Sequence, residues 1–369
     1  MNRTAIKRSA ATVLTRLVAV ALALVLLVAP VASSIALAAE TTSTPEAPPA
    51  TPIRKPRPDV TVAFVGDITF SRSGGAKFGN PDKLLAAVKP QLLKADLTFG
   101  NLETPLSSRG KPAGKTYTFR GPTTAAAALK RAGFDAVSVA NNHALDYGRI
   151  AFADTLKALN KAEVKPVGGG KNKKAAWAPV IIDKNGAKIA LLAFSEISPA
   201  SFAATSSKSG CAHTQKFSAI KKAVKASAKK ADYTIVYMHW GIELDYTPSK
   251  RQIREARELI KAGASAVLTS HPHVLQPVEF HKGGLIAYSL GNFIFSPGSD
   301  KGHDSAILTL TLSDKGVKDV VAYPVYLSGY TPKPAKGKTA KRILSILKKS
   351  STKRGTKVTV KGNKATFTP

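Results

Sequence analysis

Apolar positions in this chain follow two periods. Near-continuous apolar runs at Val60 to Gly66, Asp135 to Ala140, Ile235 to Met238 and Ala266 to Leu268 have the pattern of strands buried on both faces. Elsewhere apolar residues recur every three or four positions, which predicts helices. Pro81 to Lys94 places Leu84, Leu85, Val88, Leu92 and Leu93 on one face. Thr123 to Ala132 is closed by Gly133, and Arg149 to Lys161 is a third helix. With short strands at Leu97 to Gly100 and Val164 to Gly168, the first part of the chain reads βαβα, the order of a parallel sheet with covering helices.

The pattern then changes. Pro179 to Asp183 and Lys188 to Phe194 flank Asn185-Gly186, a strong hairpin signal. A very basic helix, Phe217 to Lys230, precedes the Ile235 strand, and a helix from Gln252 to Ala262 precedes the Ala266 strand. Hairpin segments follow at Val278 to His281, Leu285 to Ser289, Ala306 to Leu312 and Val317 to Tyr326. Arg342 to Lys349 reads as a terminal helix, and Lys357 to Phe367, turning at Gly362-Asn363, as a small hairpin. No long linker separates the α/β units from the hairpins. The expectation is one α/β domain over residues 59–330, with two mixed β-sheets packed face to face and helices outside.

The ends of the apolar strands carry the chemistry. Asp67 follows the first, and Glu103 follows the second. Asn141-Asn142-His143 follows the third, with Asp146 a turn later. His239 ends the Ile235 strand, and Ser270-His271-Pro272-His273 ends the Ala266 strand. Four of the seven histidines lie at such ends, the edge where open α/β sheets bind ligands. Two carboxylates, an amide and several imidazoles suit Zn, Mn or Fe better than a thiolate-selected metal. Taken singly, Asp67 also fits a turn or helix cap, and His239 a hydrogen-bonded core histidine. In His271-Pro272-His273 the proline restricts the backbone, and in an extended segment both rings lie on one face.

Composition adds compartment and partner. The 55 Lys and Arg against 23 Asp and Glu give a net charge of +32, which favours anionic partners. Arg3, Lys7, Arg8 and Arg16 precede an apolar run from Leu17 to Ala29, and Ala36-Leu37-Ala38 offers a cleavage site. Residues 1–38 therefore read as a cleaved secretory signal peptide, with an uncleaved membrane anchor as the alternative, and either predicts a protein at the outer face of the cell envelope, secreted in the first case. Residues 39–58 are Pro-, Thr- and Ala-rich, as in an extended linker. The single cysteine, Cys211, permits no disulfide within the chain and sits in a Ser/Gly/Ala-rich stretch read as a loop. Residues 331–369 hold about a dozen Lys and Arg with no acid, read as a basic extension that is either solvated or wall- or polymer-binding.

Several segments together resemble one family. They are Val65-Gly66-Asp67; Gly100-Asn101-Leu102-Glu103-Thr104-Pro105; Phe119-Arg120-Gly121; Ala140-Asn141-Asn142-His143 with Asp146-Tyr147-Gly148; His239-Trp240-Gly241 with Glu243; Ser270-His271-Pro272-His273; and Tyr288-Ser289-Leu290-Gly291-Asn292-Phe293. Over about residues 60–327 they are similar, in order, to the CapA capsule-synthesis family associated with poly-γ-glutamate. The resemblance implies a calcineurin-like metallophosphoesterase fold, a four-layer αββα sandwich. It also implies Asp67 and His273 at a first metal and Glu103 bridging. Asn142, His239 and His271 would hold a second, with His143 as general acid and Arg120 as anion clamp. One or two divalent ions (Mn, Fe or Zn) are implied. Thr69 departs from the pattern, because metallophosphoesterases place a metal-binding histidine there.

Two functions are therefore expected as alternatives. One is a secreted metal-dependent hydrolase of phosphoester or γ-glutamyl bonds in an anionic surface polymer. The other is a non-catalytic component that holds polymer for membrane-embedded synthesis or export partners. The leader and the lack of a basic, aromatic-rich stripe argue against nucleic acid.

Overall fold

Parallel pairing of the buried strands fixes the architecture. In the computed structural model, which describes residues 58–369, Val60–Ile68, Leu97–Leu102, Ala136–Ser138 and Lys165–Val167 lie side by side, all parallel. Asp304–Ser313 joins Val60–Ile68 antiparallel, and Gly316–Ser328 follows it. These strands form most of a ten-stranded sheet. The second sheet has six strands, with Ala187–Ser195, Tyr233–His239, Ala266–Ser270 and Gly284–Ala287 parallel at its centre. The Asn185-Gly186 hairpin adds Val180–Lys184 at one edge, and Val278–His281 closes the other. The expected signal peptide and the linker up to residue 57 lie outside the described residues.

The sheets meet face to face through apolar side chains. Phe99 of the first sheet and Tyr237 of the second pack edge to face, with ring centroids 5.4 Å apart. They belong to one continuous core with Phe64, Ile189 and Leu268. Behind the second sheet, Ile220, Val224 and Leu259 of the helices Phe217–Ala228 and Lys250–Lys261 pack on Val236, Met238 and Val267. Helices Thr124–Arg131 and Gly148–Lys161 cover the first sheet beside its parallel strands. The α/β class and the two packed, helix-flanked mixed sheets are thus as expected.

Three local expectations need correction. The helix expected over residues 81–94 is two short ones, Pro81–Leu85 and Lys89–Leu92. Pro90 explains the break: it offers no N–H, and its ring would clash with the carbonyl four residues earlier. Cys211 is not in an exposed loop. It is fully buried, in a short strand paired with Gly169–Gly170. Residues 331–369 are not a solvated extension. Thr331–Pro334 and the hairpin Lys357–Lys361/Lys364–Thr368 add strands to the ten-stranded sheet. The helix Gly337–Thr352 buries Ile343, Leu344 and Leu347. The lysines hid this pattern because they fill only its outward positions. Among the described residues, no helix is long and apolar enough to cross a membrane.

Candidate metal centre

Both parallel sets of strands bring their C-terminal ends to the same edge. Asp67, near the end of its strand, has no exposed surface, and neither does Glu103. The strand carrying Asp67 approaches the Gly291 backbone very closely. A Cβ at Gly66 would lie 1.8 Å from Gly291 O, so no larger residue fits there. This contact lets Asp67 N–H donate to Gly291 O at 3.1 Å and aligns Asp67 with Asn292 on the next strand.

Hydrogen bonds orient the acids from behind. Asn101 Nδ2 donates to Asp67 Oδ1 at 2.9 Å and to Glu103 Oε2 at 3.2 Å. Asn141 Nδ2 donates in turn to Asn101 Oδ1 at 3.0 Å. The other oxygens, Asp67 Oδ2 and Glu103 Oε1, are buried and accept no hydrogen bond. His271 Nδ1 is likewise buried without a partner. Buried polar atoms are nearly always bonded, so three orphans on residues of one cluster of strand ends are the observation to explain.

The imidazoles surround these oxygens. His239 Nε2 lies 3.5 Å from Glu103 Oε1 and 2.8 Å from Asn142 Oδ1. Ser270 Oγ is 3.0 Å from His239 Nδ1. His273 Nε2 is 4.0 Å from Glu103 Oε1, and its Nδ1 is 3.2 Å from Asp67 Oδ2. Asn292 Oδ1 is 2.8 Å from that same Nδ1. Because Asn292 Nδ2 donates to Gly302 O at 3.0 Å, its Oδ1 is the acceptor, which places the His273 proton on Nδ1 and turns Nε2 to the cluster. Such hydrogen bonds commonly set the tautomer of metal-binding histidines.

The His-Pro-His segment is not extended. His271 has φ of 102° and His273 φ of 58°. Both lie in the left-handed region, which costs about 1–3 kcal/mol per non-glycine residue. The rings still converge, with centroids 5.7 Å apart, because the backbone curls around Pro272.

Charge states follow from burial and neighbours. Burial raises Glu103 well above the carboxylate range, and the Asp67 charge adds to it. Burial would also raise Asp67, but the imidazole of His273, with Nδ1 3.2 Å from Oδ2, outweighs it and Asp67 falls below the usual range. Burial, and then the neighbouring His271, hold His239 far below its ordinary value. Burial and His273 push His271 down to about 3. Burial opposes charge on His273, yet the neighbouring Asp67 carboxylate prevails and raises it. His239 and His271 are therefore neutral near pH 7, the form that binds a metal.

The donors fit a divalent ion. Two triads bring ligand atoms within 4.8 Å of one another: Glu103, His239 and His271, and Asp67, Glu103 and His273. A third, Glu243, His271 and His273, includes an exposed acid. Glu103 is common to the first two, and Asn142 Oδ1 extends the first. The oxygen and imidazole set is of the kind that Mn, Fe or Zn takes. Thr69 contributes nothing here, since its hydroxyl is bonded to Ser71 O at 3.0 Å and Ile294 O at 3.2 Å.

His143 stands beside this cluster on a cavity of ≈ 490 Å³ that also touches Arg72, Phe119, His273 and Phe295. Burial lowers its value, and the Asp146 hydrogen bond opposes that shift. Arg120, expected as the anion clamp, is not among the cavity's lining residues. Its guanidinium lies 3.6 Å from the centroid of the Tyr147 ring and donates to Ser108 O at 3.1 Å. Arg72 lines the cavity instead. Lys115, Asn101 and Arg72 carried no sequence signal that assigned them a role. Asn292 was visible in the Tyr288 to Phe293 motif, but without an assigned role.

The sequence also matches, over residues 61–297, the family described as Bacterial capsule synthesis protein PGA_cap. The chain belongs to this family. Among its relatives, Capsule biosynthesis protein CapA of Bacillus anthracis is 34% identical over 285 residues, 74% of this chain and 69% of that protein. PGA biosynthesis protein CapA of Bacillus subtilis (strain 168) is 33% identical over 288 residues, 77% and 76% of the two chains. Solved structures similar to this capsule synthesis protein include a hypothetical protein from Thermus thermophilus. It has 17% identity and a TM-score of 0.47, over 72% of this chain and 98% of that one. A 5'-nucleotidase precursor from the same organism has 14% identity and a TM-score of 0.45, over 79% and 58%. The resemblance carried by the motifs is borne out at the level of the family.

Proposed function

We propose that this capsule-synthesis family member is a divalent-metal-dependent hydrolase of phosphoester or γ-glutamyl bonds, acting on an anionic surface polymer such as poly-γ-glutamate or on its precursor, outside the cytoplasmic membrane. One observation carries the reading. Asp67 Oδ2, Glu103 Oε1 and His271 Nδ1 are buried without hydrogen bonds at a point where two sheets deliver their strand ends. One ion among Glu103, His239 and His271 and another among Asp67, Glu103 and His273 would together account for all three. The names of the two CapA relatives, which specify capsule and PGA biosynthesis, support the polymer context.

Asp67, Glu103, Asn142, His239, His271 and His273 would hold one or two ions. When bound, a divalent ion supplies Lewis acidity toward a phosphoryl or carbonyl oxygen and a nucleophile drawn from water. The chain supplies the rest. Asp146 holds His143 Nδ1 at 2.6 Å, so His143 exchanges a proton with the leaving atom at Nε2. Phe119 and Phe295, whose rings pack 4.5 Å from His143 and 4.6 Å from His273, limit water at the reacting bond. Arg72 offers a two-pronged partner for carboxylate or phosphate.

A second reading has its own support. The Thr69 hydroxyl is committed to two backbone carbonyls, which leaves the Asp67 position with fewer ligands than a two-ion hydrolase uses. A polymer-holding component of a synthesis or export assembly fits that poverty. Elemental analysis of the purified chain beside His271→Ala/His273→Ala separates the two. Near-stoichiometric Mn, Fe or Zn that is lost in the variant supports the hydrolase. No metal above the variant's level after reconstitution rejects it.

A further inference from the structure

A second charged cavity lies on the helix Lys250–Lys261. Lys250, Arg254, Arg257 and Lys261 recur at intervals of four, three and four, which puts them on one helix face. The opposite face buries Ala256, Leu259 and Ile260. With Arg354 and His281, the four cations line a groove of ≈ 660 Å³, where Glu258 is the single acid among the lining residues.

Internal ion pairs account for only part of this charge. Glu279 holds Arg257 at 2.6 Å, and Glu258 holds Lys261 at 2.8 Å. Arg254 reaches Glu255 only at 3.5 Å, and Glu255 is already 2.9 Å from Arg251. Among the described residues Lys250 and Arg354 form no ion pair. His281 Nε2 is buried without a hydrogen bond. Like charges one turn apart destabilise a helix, so folding gains nothing from the row. A ligand of opposite charge would relieve it.

The groove is linked along the chain to the cavity beside His143. Glu243 and Leu244 line the cavity beside His143, and Thr247 and Pro248 line the groove. The intervening turn is pinned: Leu244 N–H donates to Pro272 O at 2.9 Å, and Gln276 Nε2 to Asp245 O at 2.7 Å. This turn, bonded to Pro272 between His271 and His273, is the route by which a long ligand in the groove would extend toward them.

We infer that the groove is a holding site for a carboxylate-bearing polymer whose reacting bond lies in the adjacent cavity. This deepens, and rests on, the anionic-polymer reading above. The groove's lining has no Phe, Tyr or Trp to serve as the stacking platform usual where proteins bind single-stranded nucleic acid. It is concave and rimmed by charge, unlike the apolar face that enters a membrane.

The test is binding of fluorescent γ-linked polyglutamate, long and short, to the metal-stripped chain, with no turnover required. The variant Lys250→Gln/Arg254→Gln/Arg354→Gln spares the two paired cations. A control, Lys174→Gln/Lys208→Gln/Lys225→Gln, removes equal charge elsewhere. The groove variant should weaken binding of the long polymer roughly tenfold and flatten its salt dependence. The control should change binding less than about twofold, and metal content after reconstitution should match the parent in both. Equal weakening by the control would overturn the inference in favour of diffuse attraction. So would tighter, groove-dependent binding of single-stranded RNA or phosphatidylglycerol vesicles. Metal without polymer binding would remove the groove and leave the metal centre standing, whereas polymer binding without metal would do the reverse.

Discussion

Asp146 Oδ2 sits 2.6 Å from His143 Nδ1, and its other oxygen sits 2.6 Å from Lys115 Nζ. The Asp146 side chain has no exposed surface, and it also accepts from the Phe119 N–H at 2.8 Å. One carboxylate therefore sets the tautomer of His143 and anchors two loops.

Removing it should separate stability from chemistry. Asp146→Ala leaves Lys115 and the Phe119 N–H without their partner and should cost about 3 kcal/mol, read from urea unfolding. Asp146→Asn keeps the volume but releases the ring. Turnover of a phosphoester or γ-glutamyl substrate should then fall about 100-fold, with metal content unchanged. Unchanged turnover in Asp146→Asn would remove His143 from the proposed chemistry.

Thr69 gives a contrasting case. Its hydroxyl spans Ser71 O and Ile294 O, so Thr69→Val should lower stability by about 1 kcal/mol and leave bound metal as it was. A fall in metal content would show that Thr69 is a ligand after all.

Cys211 should be chemically silent in the folded protein. Burial pushes its thiol up to about 11, and the thiolate is the reactive form. An aromatic disulfide reagent at pH 8 should label no thiol until denaturant is added. Rapid labelling of the native chain would contradict its burial.

Acid should selectively weaken the tie between the Ser107 loop and the helix Gly148–Lys161. Arg109 and Ser107 bond to Asp154, and the Arg109 hydrogen bond holds that carboxyl at about 2. The unfolded value is about 3.9. The folded value is the lower one, so the stabilisation is complete above about pH 4 and is lost as pH falls toward 2. Arg109 is 59% exposed, so solvent screening keeps the pair weak at pH 7. Asp154→Asn should be slightly less stable than the parent at pH 7, and the gap should close on acidification. A gap independent of pH would assign the effect to something other than this charge.

The sequence exposed the fold where burial was two-sided. Continuous apolar runs at residues 60–66 and 266–268 could be little other than inner strands, and their ends carry Asp67 and His271. It failed where local chemistry overrode period. Pro90 broke a helix whose apolar face looked intact. In the last forty residues the helix and hairpin were legible, but outward lysines masked the burial of Ile343, Leu344 and Leu347. The site divided similarly. Asp67, Glu103, Asn142 and the four histidines were legible as polar residues where apolar strands stop. Lys115 lies in a loop with no period, and its role exists only because residues 113 and 146 meet through the backbone bond Ala113 N to Asp146 O at 2.7 Å. The convergence of His271 and His273 was expected for the wrong reason, since their backbone is left-handed rather than extended.

The pairing of the strand Val60–Ile68 has a temporal meaning. Its neighbours are Leu97–Leu102 on one side and Asp304–Ser313 on the other, and Asp67 stands in register with Asn292. Pairings of such sequence separation form slowly. During synthesis, the first half of the chain would emerge with Asp67 and Glu103 but none of the imidazoles at residues 239, 271 and 273. The centre is therefore a late product of folding, and a chain truncated before residue 292 would carry the acids without the strand that aligns Asp67.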